Sequence, residues 1–214
     1  MSDLAITCVD ARADRYAAAP TLLFRLRITE STGVRVHAIA LRCQIRIEPA
    51  RRRYAAGEAE RLLELFGETP QWGESLKPMQ FAAVGVVVPS FTGATEIDVP
   101  VPCTYDFEVG AAKYVHALSG GEIPMLVLFS GTIFRRTDDG RFEVQQVPWS
   151  LESRLRVPVG VWRELMDRFF PGEGWIRLRR DTLDAVARFK ARRALPTWED
   201  AFAVLLEQAG EGDA

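Results

Sequence analysis

The chain has 214 residues, an apolar fraction of 48% and a formal net charge of −2 at pH 7. This length suits one large domain, or one domain with an appendage, and the apolar fraction suffices for a full core without a metal or a disulfide. The near balance of acidic and basic residues argues against a protein that coats nucleic acid or an anionic membrane.

Two segments near the start, residues 22–30 and 34–48, predict long strands because apolar and polar side chains alternate along them. The apolar positions are Leu22, Phe24, Leu26 and Ile28 in the first segment, and His37, Ile39, Leu41, Cys43, Ile45 and Ile47 in the second. The polar faces carry Arg25 and Arg27 in the first segment, and Arg42, Gln44, Arg46 and Glu48 in the second. The short connection at residues 30–33 contains a glycine, so it predicts that the two strands pair as an antiparallel hairpin.

Helical spacing of apolar residues predicts a short helix over residues 57–67, and alternation resumes in two strands, 79–88 and 94–101. Residues 106–118 fit either a helix or a strand. A stripe of Phe107, Ala111, Tyr114 and Leu118 favours a helix, and a strand through Tyr105, Phe107 and Val109 is the alternative.

Residues 123–135 are apolar on both faces, which is typical of a central strand between two layers. Within this segment, residues 130–132 (Ser-Gly-Thr) indicate a tight packing position. The Asp-Gly turn at residues 137–140 predicts a hairpin to a return strand over residues 142–147.

The apolar period changes from two to 3.6 after about residue 157, which indicates helices. Asp181 is predicted to cap one of them, and Thr197 with Asp200 forms a capping-box pattern at the start of the last. Strands first and helices last favour an α+β fold, in which an antiparallel β-sandwich-like body is followed by a C-terminal helical segment. The predicted organisation is a partly irregular segment over 1–19, in which Leu4, Ile6 and Cys8 fit a short strand, a β-rich domain over 20–150, a helical segment packed on it over 151–209, and a frayed tail over 210–214.

Residues able to carry chemistry are few. His37 lies on a predicted apolar strand face, which favours a structural role. His116 could join Asp106 and Glu108 in a ligand pocket or active site at the edge of the sandwich. Cys8, Cys43 and Cys103 lack the short spacings of metal ligands or of a disulfide framework, so neither a metal nor a cofactor is predicted. No catalytic or phosphate-binding motif is present, and no catalytic residue is predicted.

The first residues lack the pattern of a signal peptide, and the longest apolar runs are too short to span a bilayer, so a cytoplasmic protein is expected.

The main charge asymmetry lies in the helical segment, where residues 151–193 carry 11 Lys and Arg against 6 Asp and Glu. A second basic run is formed by residues 51–53. Solvated helix faces would explain both, but arginine mixed with tryptophan is typical of protein-binding surfaces, and no nucleic-acid-binding motif is present. The candidate partner-binding residues are Trp175, Arg177, Arg179, Arg180, Arg188, Arg192, Arg193 and Trp198.

Four segments carry a family resemblance: LRCQIRIEPARRRY (41–54), VPCTYDFEVGAAKYVHAL (101–118), GEIPMLVLFSGTIF (121–134) and GWIRLRRDTLDAVARFKARRALPTWEDA (174–201). They resemble an uncharacterised family found mainly in actinobacteria, often encoded near nickel-iron hydrogenase genes. The resemblance implies a non-catalytic accessory protein that binds a protein partner, with hydrogenase subunits as the candidates. The alternative is a small-ligand-binding protein or an enzyme with the pocket named above.

Overall fold

A computed structural model of the chain describes residues 3–106, 109–136 and 140–211. The chain forms two compact units, residues 1–175 and residues 176–214. Each unit is described by itself.

The first unit contains two antiparallel sheets built from eight strands. These are β1 (Leu4–Ala13), β2 (Thr21–Glu30), β3 (Val36–Ile47), β4 (Met79–Val88), β5 (Ala94–Pro102), β6 (Glu122–Arg136), β7 (Phe142–Gln146) and β8 (Glu152–Pro158). The three-stranded sheet has the order β1-β2-β5. In the other sheet β3 lies between β4 and β6, and the far edge of β6 pairs with β8 along its first half and β7 along its second.

The predicted hairpin between β2 and β3 is wrong, because the two strands lie in different sheets. Each strand has one apolar face. The alternating pattern is the same whether two such strands pair side by side in one sheet or lie in two different sheets. The connection crosses between the sheets, and the buried carboxylate of Glu30 holds it by accepting hydrogen bonds from Thr32 Oγ1 (2.5 Å) and Gly33 N (3.0 Å). Arg135 Nη2 lies 3.4 Å from the same carboxylate.

His37 does not share the apolar face of β3, which corrects a second expectation. The pairing of β3 with β6 shifts by one residue between Val36 and Ala38, so a bulge turns Val36 into the core and leaves His37 exposed. The remaining predicted positions of this face, from Ile39 to Ile47, are at most 2% exposed.

The strand predicted over residues 123–135 is confirmed as β6, which pairs on both edges, although Ser130 on its outer face is exposed rather than covered by a second layer. Its return strand is confirmed as β7, although residues 137–139 of the predicted turn lie outside the described residues. Gly131 is the tight position, because a Cβ there would lie 2.0 Å from the carbonyl oxygen of Ala40 on the neighbouring strand.

Helices of the first unit follow strand ends. They are α1 (Ala56–Arg61), α2 (Leu63–Phe66), α3 (Trp72–Ser75), α4 (Gly110–Ala117) and α5 (Val159–Phe169). The first three connect β3 to β4, α4 connects β5 to β6, and α5 follows β8. In the larger sheet the register places the end of β3, the starts of β4 and β6 and the end of β8 together, since Ile47 pairs with Met79 and Met125, and Pro158 pairs with Glu122. The helices next to these strand ends therefore lie at one end of this sheet.

The helix at 110–117 confirms the helical interpretation of that segment, while residues 107 and 108 lie outside the described residues. Two strands fall outside the range predicted as β-rich: β1 lies before residue 20 and β8 lies after residue 150. Both place buried residues in the common core, including Leu4, Ile6 and Val157. The period of two continues to about residue 157, so β8 agrees with the apolar pattern although it lies within the range 151–209 of the predicted helical segment.

The second unit contains α6 (Arg180–Arg192) and α7 (Trp198–Ala209). The capping box is confirmed: Thr197 Oγ1 accepts a hydrogen bond from Asp200 N, and Asp200 Oδ2 accepts one from Thr197 N, each 3.0 Å long. Asp181 lies in the first turn of α6 rather than at its N-cap, which is Arg179.

Candidate binding surfaces

A buried ion pair anchors the end of the larger sheet where these helices lie. Arg52 Nη2 lies 2.7 Å from Glu58 Oε1, and the two side chains are 9% and 3% exposed. Burial acts to raise the pKa of Glu58, but hydrogen bonds from the backbone N–H groups of Ser119 and Ala55, together with Arg52, outweigh it and leave the pKa below its ordinary value. The carboxylate therefore stays ionised and serves to hold the loop that follows α4.

Two further arginines hold the same loop. Arg61 Nε donates to the carbonyl oxygen of Ala117 (2.9 Å), and Arg163 donates to the carbonyl oxygens of Ser119 (2.8 Å) and Leu118. Arg52 donates to the carbonyl oxygens of Gly120 (2.6 Å) and Glu122 (2.7 Å). Because these guanidinium groups bind main-chain oxygens, their arrangement is explained by structure and requires no ligand.

His116 lies at the C-terminal end of α4 and is exposed. Its Nδ1 is 3.0 Å from the hydroxyl of Tyr105. Partial burial, with Arg163 and Arg61 nearby, lowers the pKa of His116, so the imidazole is neutral at pH 7. Tyr105 in turn stacks on Phe170, with the ring centres 6.1 Å apart.

The alternative ligand pocket is only partly described. Glu108 lies outside the described residues, and Asp106 forms a backbone bridge with Trp175. Three cavities of the first unit are lined by other residues than His116 and Asp106. One of them, of about 420 Å³, lies beside β1 and α5 and is lined by Tyr16, Leu23, Val161 and Glu164 among others.

The cysteines are unpaired thiols: Cys8 and Cys43 are buried, and Cys103 is half-buried. Burial raises the pKa of each thiol to about 12, so all three are protonated at neutral pH and are poor nucleophiles. Within residues 3–106, 109–136 and 140–211, His, Cys, Asp and Glu side chains form no group of three that could hold a metal ion.

All the arginines predicted to bind a partner are exposed and lie in the second unit: Arg177, Arg179, Arg180, Arg188, Arg192 and Arg193. Arg179 pairs with Asp181 at 2.6 Å. Among the described residues no carboxylate pairs with Arg177, Arg180, Arg188 or Arg192. Trp198 is 44% exposed, and Lys190 Nζ lies 6.0 Å from the centre of its ring.

Apolar side chains of the second unit are exposed as well. Ile176, Leu178, Leu183 and Leu206 are between 37% and 57% exposed, and among its described residues only Ala201 is buried. A unit of fewer than 40 residues rarely buries enough apolar surface to be stable alone. The second unit therefore exposes both arginine and large aliphatic side chains to solvent.

Trp175, the other predicted partner-binding residue, belongs to the first unit. It is 58% exposed and its ring meets Phe170 edge-on, with the ring centres 5.3 Å apart. The structure thus divides the predicted set between the two units.

One basic surface was missed by sequence reasoning. Arg51 and Arg53, which precede α1, lie with Arg154 and Arg156 of β8 around two cavities of the first unit. The run at residues 51–53 was a visible signal, but its partners on β8 are about 100 positions away and only the sheet pairing brings them together.

A model of the DUF6084 family of unknown function matches residues 1–214. The chain belongs to this family. A comparison of the DUF6084 chain with curated proteins finds no match. Among solved structures, a β-glucosidase from Kluyveromyces marxianus is similar over 72% of this chain and 14% of its own, with 8% identity and a TM-score of 0.23. Values this low carry no argument about fold or function. Within the part of the chain that is described, no helix has the length and apolar character needed to cross a membrane.

Proposed function

We propose that the protein is a cytoplasmic, non-catalytic binding protein whose second unit binds an acidic surface of a protein partner. The body of the first unit, which we infer to be a β-sandwich, serves as the scaffold. The observation that carries the proposal is the set of four exposed arginines without a carboxylate partner among the described residues: Arg177, Arg180, Arg188 and Arg192.

Charge in the second unit is uneven along the chain. Residues 176–195 carry seven Lys and Arg and two Asp, whereas residues 196–211 carry four Asp and Glu and no base. The basic stretch includes all of α6. Basic side chains attract an acidic partner from a distance and raise the association rate, and this effect weakens as salt screens the charges.

Exposed aliphatic side chains favour a protein over a nucleic acid as the partner. Ile176 (57%), Leu183 (42%) and Leu206 (52%) lie in the same short unit as the arginines. Apolar side chains become buried in the core of a protein interface, where arginine and tryptophan are among the strongest contributors to affinity. A nucleic acid would use the arginines but would leave the aliphatic side chains in water.

The partner class that the family resemblance implies is a subunit of a nickel-iron hydrogenase. The direct test uses the full chain as bait for purified hydrogenase subunits at low and at high salt. We expect capture at low salt that weakens by tenfold or more at high salt.

A charge variant sharpens this test. Arg177→Gln, Arg180→Gln, Arg188→Gln and Arg192→Gln together should abolish capture. The matched control changes four exposed arginines of the first unit, Arg15, Arg27, Arg35 and Arg168, to Gln and should retain it. Equal loss in both variants would show a general charge effect, and absence of capture by the unaltered chain at low salt would refute the hydrogenase proposal. Capture of nucleic acid instead of protein would refute the partner class.

A further inference from the structure

The outward side of β6 carries apolar residues that are nonetheless buried. Pro124 and Leu126 alternate with the core residues Met125 and Val127, so they point away from the core, yet Leu126 is only 8% exposed. In the sheet register Leu126 lies between Arg46 of β3 and Arg154 of β8. The aliphatic stems of arginines cover apolar surface in this way while the guanidinium groups stay in water.

Two adjoining cavities lie at the end of this surface. The first, of about 390 Å³, is lined by Glu48, Pro124, Arg154 and Leu155 together with the two residues it shares with the second, Arg51 and Arg156. The second, of about 460 Å³, adds Arg52, Arg53, Gly121 and Glu122. Each lies in the size range of small-molecule sites. We call these two cavities together the arginine cleft.

Carboxylates hold some of these arginines in place. Glu48 Oε2 lies 3.0 Å from Arg51 Nε and 3.5 Å from Arg154 Nε, and the Glu48 side chain is 12% exposed. Glu48 attracts both guanidinium groups electrostatically, but its Oε2 accepts no hydrogen bond among the described residues, so the side-chain N–H donors of Arg51 stay available to a ligand. Arg52 is different, since its bonds to Glu58 and to main-chain oxygens turn it inward.

The remaining arginines leave positive charge in the cleft uncompensated. Arg53 is exposed and has no carboxylate partner among the described residues, and Arg156 Nη1 lies 3.9 Å from Glu122 Oε2, at the limit of an ion pair. The cleft is lined by five arginines and two glutamates, and Glu58 and Glu152 pair with Arg52 and Arg154, so the charge that is left without a carboxylate is that of Arg53. Arginine favours phosphate because its planar fork of donors matches two phosphate oxygens at once.

We propose that the arginine cleft binds a small organic phosphate ester. The phosphate dianion would be held by Arg53 and Arg156, with Arg51 as a third cation that lines both cavities. Pro124 and Leu155 line the first cavity and offer an apolar surface to the organic part. Both cavities are open to solvent, and their limited volume favours a small molecule over a protein or nucleic-acid surface. All the lining residues belong to the first unit.

The test is a calorimetric titration of the full chain with phenyl phosphate, inorganic phosphate and phenol. We expect saturable binding of phenyl phosphate, binding of inorganic phosphate that is at least threefold weaker, and none of phenol. The variant Arg53→Gln with Arg156→Gln should weaken phenyl phosphate binding tenfold or more. The variant Arg53→Lys with Arg156→Lys keeps the positive charge but removes the planar pair of guanidinium donors. It should weaken phenyl phosphate binding by a smaller factor than the Gln variant.

The control is Arg27→Gln, which alters an exposed arginine of the other sheet that is paired with Glu96 at 2.8 Å. It should bind phenyl phosphate as the unaltered chain does. No saturable binding to the unaltered chain would overturn the proposal. So would equal weakening in the control, which would mark a general charge effect, or phenol binding as tightly as phenyl phosphate. The altered side chains are exposed, so all variants are expected to unfold at the same temperature within a few degrees, which thermal unfolding checks.

Discussion

Replacing Gly131 by alanine is expected to destabilise the first unit strongly. The residue has a φ of +144°, a region that residues with a side chain rarely adopt, and holding alanine there costs about 1–3 kcal/mol. The added Cβ would also lie 2.0 Å from the carbonyl oxygen of Ala40, whereas ordinary contacts begin at 3.4 Å. Strands β3 and β6 must then move apart locally.

The size of the effect follows from these two terms. Separation of the strands at Ala40 weakens one or two ladder hydrogen bonds, each worth about 1 kcal/mol. Together with the backbone strain this amounts to about 2–5 kcal/mol, a large part of the stability of a typical domain. For a unit of this size, we expect the midpoint of thermal unfolding to fall by roughly 4–20 °C.

Gly85→Ala is the matched control, because Gly85 lies on β4 of the same sheet and pairs with Arg42 on β3. A Cβ there would meet only the carbonyl oxygen of Leu41, at 3.9 Å. Its substitution should change stability by less than about 1 kcal/mol, in the stabilising direction. Urea unfolding followed by far-UV circular dichroism measures both variants. If Gly131→Ala unfolded within 1 kcal/mol of Gly85→Ala, the close approach of the strands at this position would be wrong.

Three further substitutions test the electrostatics of the first unit. Glu58→Gln should cost about 3 kcal/mol in urea unfolding because it leaves Arg52 buried without its counter-charge, while the exposed control Glu64→Gln should cost under about 0.5 kcal/mol. Two arginine partners lower the pKa of Asp98 to about 2, so its stabilising effect is complete above pH 4 and is lost as the pH falls to 2. Asp98→Asn should remove that pH dependence, worth about 1 kcal/mol after solvent screening, and an unchanged acid profile would contradict the ion-pair geometry. The pKa of His116 is lowered from 6.5, so protonation favours the unfolded chain and stability should fall as the pH drops below 6.5. His116→Gln should flatten this decline in a pH series of thermal unfolding, and an equally steep decline would refute the assignment.

The two surfaces proposed for binding, the arginines around α6 and the arginine cleft, differ in whether they can be identified from the sequence alone. The arginines of α6 are close together in the chain, so composition alone identifies the basic stretch, and the structure adds that these side chains are exposed. The arginine cleft could not be identified in that way. Arg53 and Arg156 belong to separate basic clusters in the sequence, and only the pairing of β8 with β6 places them around the same cavities.

The sequence by itself determined most of the strands and helices and the division of polar from apolar faces. Alternation and helical spacing are local properties, and residues 22–28 and 123–135 show them clearly. Partner choice among strands was decided only by tertiary structure. The alternation in β2 is the same whether β3 is its hydrogen-bonded neighbour or a strand of the other sheet, so the pattern could not decide between the two and the predicted hairpin of β2 with β3 was wrong. The one-residue bulge that exposes His37 is likewise set by pairing with β6, because a register shift depends on both strands and neither contains it alone.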